Sequence, residues 1–577
     1  MSKRIVIIGA VALGPKVACR VRRMDPTSQV ILIEQNQHLS YGGCGIPFFI
    51  SGDISDIQAL MSTSFHMVRD EQFFRDAKGV EVRSRTRAVS IDRRHRLVRI
   101  QTILTGEEED LPYDNLVLAT GAFPIRPEIP GVNLKGVSTV SNPAEALMIK
   151  ESLSRGEVGH CVIIGAGPIG LELAQAVSDL WGVETTVLEI QDQVLPGLLD
   201  QDLAQMVLTE LKGQGVNLLL GERAIGIFGD DQGNVKKVVT EKRELPADLV
   251  ILAVGVRPNT ALAGQAGLTI GRSGGIVVNE FLRTSDPDIY AGGDCIELLH
   301  LMTEQPCCFA SGSLANRQGR VIGSNLGGGR ETFPGVFGSF AIKIFELSAG
   351  RCGLTTAASR QAGFDAEEAL VIQADRAHFY PGQDLMALKL VADRKTRRVL
   401  GLSGVAKNGD ALMARLNAVA GALPYKMTIE DLANLEIPYS PPFAAAMDIL
   451  NAVANTLKNT LDGKNRPLPL EQFQGLFIGK KENAVLFLDV RGPRNAQPYV
   501  QQLSPYWINI PQETLSRRLQ ELPPAEQVVL ICNSGVRSYE AQVLLDKEGI
   551  KNTLNLAGGV AGLKWAGLNP LKEVEKD

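Results

Sequence analysis

The stretch RIVIIGAVALG (residues 4–14) decides the fold, because its layout returns as CVIIGAGPIG (residues 161–170). In each copy a short apolar run enters a glycine loop and then a helical stretch. Each copy goes on to a second apolar run that ends on an acid: QVILIE closes at Glu34 and ETTVLE at Glu189. From first glycine to acid the spacing is 25 residues in one copy (9 to 34) and 24 in the other (165 to 189). This is the logic of a βαβ unit that holds a dinucleotide. The first glycine (Gly9, Gly165) permits the tight turn. The middle position (Val11, Gly167) faces the pyrophosphate, and the last glycine (Gly14, Gly170) lets helix and strand pack closely. Free N–H groups at the helix start and the helix dipole favour the phosphates. The carboxylate at the end of the second strand accepts from a ribose 2′-OH. One such loop is weak evidence, whereas a matched pair is strong.

Working outward, two more strand-like runs end in glycine turns, LVLATGA (116–122) and DIYAGGDC (288–295). They lie on either side of the second unit, so the first domain is expected to be interrupted by it. Thr120, Gly121, Gly293 and Asp294 are the turn residues, and Asp294 suits a bond to the ribityl chain of a flavin. Residues 333–455 read as mixed α/β. Residues 456–472 are polar, carry Pro467 and Pro469, and read as a linker. The last ~105 residues read as a small α/β domain. The fold class is therefore α/β, with two Rossmann-like dinucleotide-binding domains, an α+β domain and a C-terminal α/β domain. A chain of 577 residues has room for about four domains at ~150 residues each.

Composition narrows the function. Lys+Arg 59 against Asp+Glu 64 gives a formal charge of -5, which offers no bulk electrostatic case for a nucleic-acid binder. No uninterrupted apolar run reaches ~18 residues, so no membrane span is expected. The N-terminal MSKRIVIIGAVALG only superficially resembles a signal peptide, and a cytoplasmic protein with free thiols is expected. The six histidines have no metal-ligand spacing, so no metal is expected.

Eight cysteines form no CxxC pair. Two have chemical surroundings. Cys44 lies in Ser40-Tyr41-Gly42-Gly43-Cys44-Gly45, with glycines leaving the sulfur accessible. A helix beginning at this point would lower its thiol pKa. A single sulfur of this kind attacks a disulfide or sulfane sulfur and holds the product as a mixed disulfide or persulfide. Cys532 directly follows the apolar run VVLIC in Cys532-Asn533-Ser534-Gly535-Val536-Arg537-Ser538. Strand, loop and helix there make a nest of backbone N–H groups for a thiolate or persulfide, with Arg537 adding fixed charge. Four residues separate Cys532 from Arg537, a loop that fits sulfur better than phosphate.

The motifs GAVALG, SYGGC, ATGA, GAGPIG, YAGGD, ANRQGR (315–320) and YSPPF (439–443) together resemble the single-cysteine branch of the pyridine-nucleotide disulfide reductases, the coenzyme A-disulfide reductases. DVR (489–491) and CNSGVRS resemble a rhodanese domain, and the fusion is similar to the NADH-dependent persulfide reductases. The resemblance implies an FAD-binding domain of residues 1–145 and 250–330, an NADH-binding domain of 146–249 and a dimerisation domain of 331–455. A linker of 456–472 and a rhodanese domain of 473–577 follow. It assigns FAD to Gly9, Ala12, Gly14, Glu34, Thr120, Gly121, Gly293 and Asp294. NADH falls to Gly165, Gly167, Gly170 and Glu189, the carboxylate of Glu189 disfavouring NADPH. It implies CoA contacts at Lys16, Arg20, Arg23, Ser40, Lys78 and Arg317. The catalytic thiol is Cys44, and Tyr439 reaches it from the other subunit of a homodimer. Departures from the family pattern are Gly43 for a frequent Asn, Met447 for a CoA-contacting lysine, and Phe379-Tyr380-Pro381 for Tyr-Tyr-Pro.

The activity implied is NADH-driven reduction of persulfides, polysulfides or CoA disulfides at Cys44, with Cys532 relaying sulfane sulfur. The alternatives are an NADH oxidase or peroxidase working through a Cys44 sulfenic acid, and a sulfurtransferase or redox-sensing sulfur carrier centred on Cys532. Peroxidases of this superfamily carry a histidine where this chain has Ala12.

Overall fold

The computed structural model describes residues 2–478 and 484–571; two stretches of the expected 473–577 domain, 479–483 and 572–577, lie outside the described residues. One compact unit comprises residues 1–190 and 221–336. Its first sheet is wholly parallel, ordered Ile289–Ala291, Asn115–Leu118, Arg4–Ile8, Gln29–Ile33, Glu81–Arg83. The strand Ile289–Ala291 thus joins a sheet otherwise built from the first 120 residues. Strand His160–Ile164 lies between Glu184–Glu189 and Leu249–Leu252, again all parallel. The central strands are buried on both faces and read as unbroken β-branched runs: Ile5, Val6 and Ile7 are fully buried, as is Ile163. Each buried Ile or Val side chain contributes about 1.5–3 kcal/mol of transfer free energy.

The second unit comprises residues 191–220 and 337–577. A five-stranded antiparallel sheet runs Phe340–Ile344, Leu347–Gly353, Val399–Ala406, Leu385–Asp393, Ala366–Ala374. A parallel sheet follows in the order Pro467–Leu468, Thr553–Leu556, Gln527–Ile531, Val485–Asp489, Trp507–Asn509. The α/β class expected from the sequence is the one observed.

Residues 456–472, expected as a linker, carry regular structure. Helix Ile449–Leu461 runs into the stretch because Val453, Ala454 and Leu457 bury one face. Pro467–Leu468 then pairs with the strand Thr553–Leu556. Two prolines do not prevent this, since strand Pro467–Leu468 sits at the sheet edge, where the missing N–H costs nothing. Among the described residues no helix is long and apolar enough to cross a membrane, and no group of three or more His, Cys, Asp or Glu side chains is placed to hold a metal.

Candidate functional site

The two glycine loops are near copies in three dimensions. Gly9 has φ +108° and Gly165 φ +112°, conformations only glycine adopts without strain. A Cβ on Gly14 would lie 1.9 Å from the Gly9 carbonyl oxygen, and one on Gly170 2.0 Å from that of Gly165. In both loops the acid at the end of the second strand reaches back. Glu34 Oε2 accepts from the Ala10 N–H at 2.9 Å, and Glu189 Oε2 from the Ala166 N–H at 2.9 Å. Each carboxylate is therefore buried and fastened to the loop it serves.

These loops fit dinucleotides. Helix Leu13–Met24 starts at Ala12 and helix Pro168–Ser178 at Gly167, and neither start has a side-chain cap. No side chain therefore claims the N–H groups of these helix starts, as a pyrophosphate site requires. A Cβ on Gly167 would meet nothing within 4 Å, which leaves room for phosphate oxygens. Around the first loop, Thr120 Oγ1 donates to the Asn259 carbonyl at 2.7 Å, and Gly121 turns with φ +66°. The Gly293 N–H donates to Gln318 Oε1 at 2.7 Å, leaving the buried Gln318 Nε2 without a partner. Asp294 Oδ1 accepts from the Ser311 N–H at 3.1 Å, and burial pushes its carboxyl up. An orphaned buried donor beside Gly293 and Asp294 is what a bound polar group satisfies.

Cys44 is held by main-chain bonds on both sides. The Ser40 N–H donates to the Ala10 carbonyl at 2.7 Å, tying the cysteine loop to the first glycine loop. Ser40 has φ +46° and is buried. The Gly42 N–H donates to Leu60 O and the Gly45 N–H to Gly42 O, both at 2.9 Å. A short 3-10 turn Gly43–Gly45 leads into helix Ile46–Ile50. Cys44 is the exposed member of eight free cysteines. Its thiol is pushed up by its packed surroundings, then by the Glu172 and Asp294 carboxylates. That corrects the expectation of a lowered pKa: desolvation of the thiol, with the Glu172 and Asp294 carboxylates adding to it, outweighs a one-turn helix start. Burial pushes the Glu172 carboxyl itself up to about 7. Sequence reasoning missed Glu172. Its signal was available: it is the one charged residue of helix Pro168–Ser178.

The basic side chains meet through a glycine stripe. Helix Gly312–Leu326 and its cap carry Gly319, Gly323 and Gly327 on one face. A Cβ there would lie 2.9 Å from Lys16 Cβ, 2.6 Å from Arg20 Cβ and 2.4 Å from Met24 Cβ. The helix consequently presses against helix Leu13–Met24. Lys16, Arg20, Arg23 and Arg317 line one cleft of about 330 Å³, together with Asn316 and Arg320, which sequence reasoning did not assign. Glu331 offsets part of the charge, 3.6 Å from Arg20 and 3.8 Å from Arg320. Such a cluster suits a multiply charged phosphate ligand. Ser40 and Lys78 do not line the cleft; Lys78 sits over the Phe73 ring, 5.0 Å from its centroid.

In the second unit, Cys532 is buried at the end of strand Gln527–Ile531. Its Sγ accepts from the Gly535 N–H at 3.1 Å and from Ser538 Oγ at 3.2 Å. Gly535, at φ +101°, turns the chain into helix Val536–Lys547, whose first turn carries Arg537. The neighbouring strand is braced by a buried pair, Arg491 Nη2 to Asp489 Oδ2 at 2.6 Å, to which the Trp507 indole adds a bond at 3.2 Å. Tyr439 is exposed.

Three segments of the chain match known families: residues 3–315 the pyridine nucleotide-disulphide oxidoreductases, 339–450 the dimerisation domain of that family, and 475–565 rhodanese-like domains. The NAD(P)H coenzyme A polysulfide/persulfide reductase of Pyrococcus horikoshii is 35% identical over 458 residues, covering 79% of this chain and 99% of that protein. An NADH oxidase of Methanocaldococcus jannaschii is 31% identical over 461 residues, covering 80% of this chain and 100% of that protein. A solved NAD-dependent persulfide reductase from A. fulgidus superposes with a TM-score of 0.91 at 37% identity, covering 97% of this chain and 99% of that one. The paired glycine loops, the lone accessible thiol and these matches agree: the chain belongs to the pyridine nucleotide-disulphide oxidoreductase family, with a rhodanese-like domain at its C-terminal end.

Proposed function

We propose that the protein is a cytoplasmic, homodimeric, NADH-driven reductase of persulfides, polysulfides or CoA disulfides, using Cys44 as its redox thiol and Cys532 as a carrier of sulfane sulfur. FAD, when bound, supplies the transfer of an electron pair between NADH and the sulfur held on Cys44. The observation that carries the reading is the pairing of one exposed thiol beside the flavin-type loop with a second thiol in a backbone N–H cradle.

The residues divide the work. The Cys44 thiolate attacks the substrate sulfur; one S–S bond breaks, a thiolate leaves, and a mixed disulfide or persulfide forms on Sγ. Two electrons and two protons then release the second thiol or sulfide and restore Cys44. Glu172, whose carboxyl burial pushes up to about 7 and whose charge acts on Cys44, holds a proton for that sulfur. Tyr439 of the partner subunit faces the same chemistry. Lys16, Arg20, Arg23 and Arg317 hold the phosphates of a CoA-bearing substrate. Glu189 selects NADH, since its carboxylate repels a 2′-phosphate. Gly535 and Ser538 donate to the Cys532 sulfur and stabilise its anion, and Arg537 adds positive charge nearby.

The NADH oxidase relative supports a second reading, reduction of O₂ or peroxide through a Cys44 sulfenic acid. Anaerobic NADH oxidation measured in parallel with CoA disulfide, CoA persulfide, polysulfide and H₂O₂ separates the two. The proposal expects turnover with at least one sulfur substrate and its loss in Cys44→Ser. Failure with every sulfur substrate alongside rapid peroxide turnover establishes the second reading instead.

A further inference from the structure

A cavity of about 610 Å³ lies between the strand Ala366–Ala374, the helix Ile449–Leu461 and the loop that follows Cys532. Its wall is chiefly aliphatic, with Leu370, Ile372, Leu385, Ala452, Val536 and Ala557 among its lining residues. Tyr439 and, from the cysteine loop, Ser534 and Gly535 also line it. Gly535 links cavity to thiol: it lines the space, and its N–H is one of two donors to Cys532 Sγ, at 3.1 Å. The seam behind it is close-packed. A Cβ on Gly558 would lie 3.0 Å from Ile372 Cδ1, so the helix after this glycine sits directly against the antiparallel sheet.

The lining offers little to a charged tail. Arg376 bonds Asp375 through Nε at 3.1 Å and Nη2 at 2.7 Å, so its charge is offset by that carboxylate. Asn459 and Tyr539 bring uncharged hydrogen-bonding groups. A site of this size and polarity takes an apolar small molecule.

We propose that this cavity binds the tail of an aliphatic persulfide or thiol whose sulfur end reaches Cys532, which makes the rhodanese-like half selective for uncharged alkyl carriers of sulfane sulfur. The proposal rests on the sulfur-carrying role of Cys532 given above. The Cys532 thiolate attacks the outer sulfur of R–S–SH. The S–S bond breaks, its electron pair leaves with RS⁻, which takes up a proton, and Cys532 holds the outer sulfur as a persulfide. No electrons enter or leave.

The test uses the full-length protein, cyanide as acceptor, and a donor series of inorganic thiosulfate and methane-, butane-, hexane- and octanethiosulfonate, with thiocyanate as the readout. At about 0.8 kcal/mol per buried methylene, kcat/KM rises roughly fourfold for each one the cavity accepts. Ala452→Leu narrows the cavity and flattens this rise to below about twofold per methylene, while turnover of inorganic thiosulfate is preserved. Thr456→Met, on the same helix wall, serves as the second filling variant should the first fail to fold. A flat chain-length series in the unmodified protein overturns the proposal, as does a rise that both filling variants leave intact. Absence of thiocyanate from every donor refutes the sulfur-carrying role itself. Calorimetric titration with butane-, hexane- and octanesulfonate then decides the cavity separately: affinity that climbs with chain length supports it, and equal or absent binding overturns it.

Discussion

The Lys150 ammonium donates to the Phe49 carbonyl at 2.6 Å and to Ile54 O at 3.3 Å, and it stands 3.9 Å from the centroid of the Phe49 ring. Trp181 Nε1 adds a bond to Ile50 O at 2.9 Å. Both groups thus hold the C-terminal carbonyls of helix Ile46–Ile50, whose other end follows Cys44. A five-residue helix has no stability of its own, so these two contacts, one from helix Pro143–Ser154 and one from the turn after helix Pro168–Ser178, fix where the thiol sits.

Replacing Lys150 tests that role. Lys150→Met leaves the Phe49 carbonyl without its charged partner and costs about 1–3 kcal/mol. Lys150→Arg restores most of it. Cys44 alkylation becomes faster in the Met variant as the loop loosens, while thiocyanate formation from thiosulfate at Cys532 is unchanged. Equal alkylation rates in wild type and Lys150→Met refute the positioning role.

Glu172 makes a prediction of definite sign. Its carboxylate disfavours the Cys44 thiolate, behind burial and ahead of Asp294 among the causes of the raised pKa. Glu172→Gln removes that charge and keeps the shape. The pH midpoint of Cys44 alkylation therefore moves down, by up to about one unit. A midpoint that stays or rises shows the two groups to be uncoupled.

The glycine loops were legible because their requirements are local: Gly9 and Gly165 need positive φ, and the strands they end are unbroken apolar runs. The cysteine loops were legible for the same reason. Gln318, Glu172 and the stripe Gly319, Gly323, Gly327 were not assigned. Gln318 bonds Gly293, 25 residues away, and the stripe meets a helix about 300 residues earlier in the chain. No local period announces such a partner. The direction of the Cys44 shift was misread because it is set first by the packing around the thiol and then by acids at 172 and 294, neither of which a local stretch of sequence shows.

A buried charge cluster in the second unit predicts an unusual pH dependence. Lys389 Nζ lies 3.0 Å from Asp202 Oδ2 and 2.8 Å from Glu368 Oε1. Asp200 completes the group and accepts from the Thr356 N–H at 3.1 Å. Burial pushes Asp200 up to about 6, with Asp202 and Glu368 adding to the rise and Lys389 opposing it. Its folded pKa thus exceeds the ~3.9 of an unfolded Asp. The stability it contributes is full below that value and lost as pH climbs through 6. Asp200→Asn should accordingly be more stable than wild type at pH 8, by about 1–3 kcal/mol, with the gap closing toward pH 4. Denaturant titrations at the two pH values decide it; a gap that widens on acidification contradicts the assignment.

The two thiols, finally, should separate by mutation. Cys532→Ala abolishes thiocyanate formation and any NADH oxidation fed by thiosulfate-type donors, yet spares NADH-dependent reduction of small disulfides at Cys44. Ser538→Ala is the finer probe. Ser538 Oγ is shared between Cys532 Sγ at 3.2 Å and Asn555 Oδ1 at 2.7 Å. Among the described residues its removal leaves the Gly535 N–H as the remaining hydrogen-bond donor to the sulfur. One lost bond to a charged acceptor costs about 1.5–3 kcal/mol, or roughly 10- to 150-fold in sulfur transfer. The disulfide reaction, which never visits Cys532, keeps its rate. Should Cys532→Ala leave both activities intact, sulfur does not pass through the C-terminal domain on its way to Cys44.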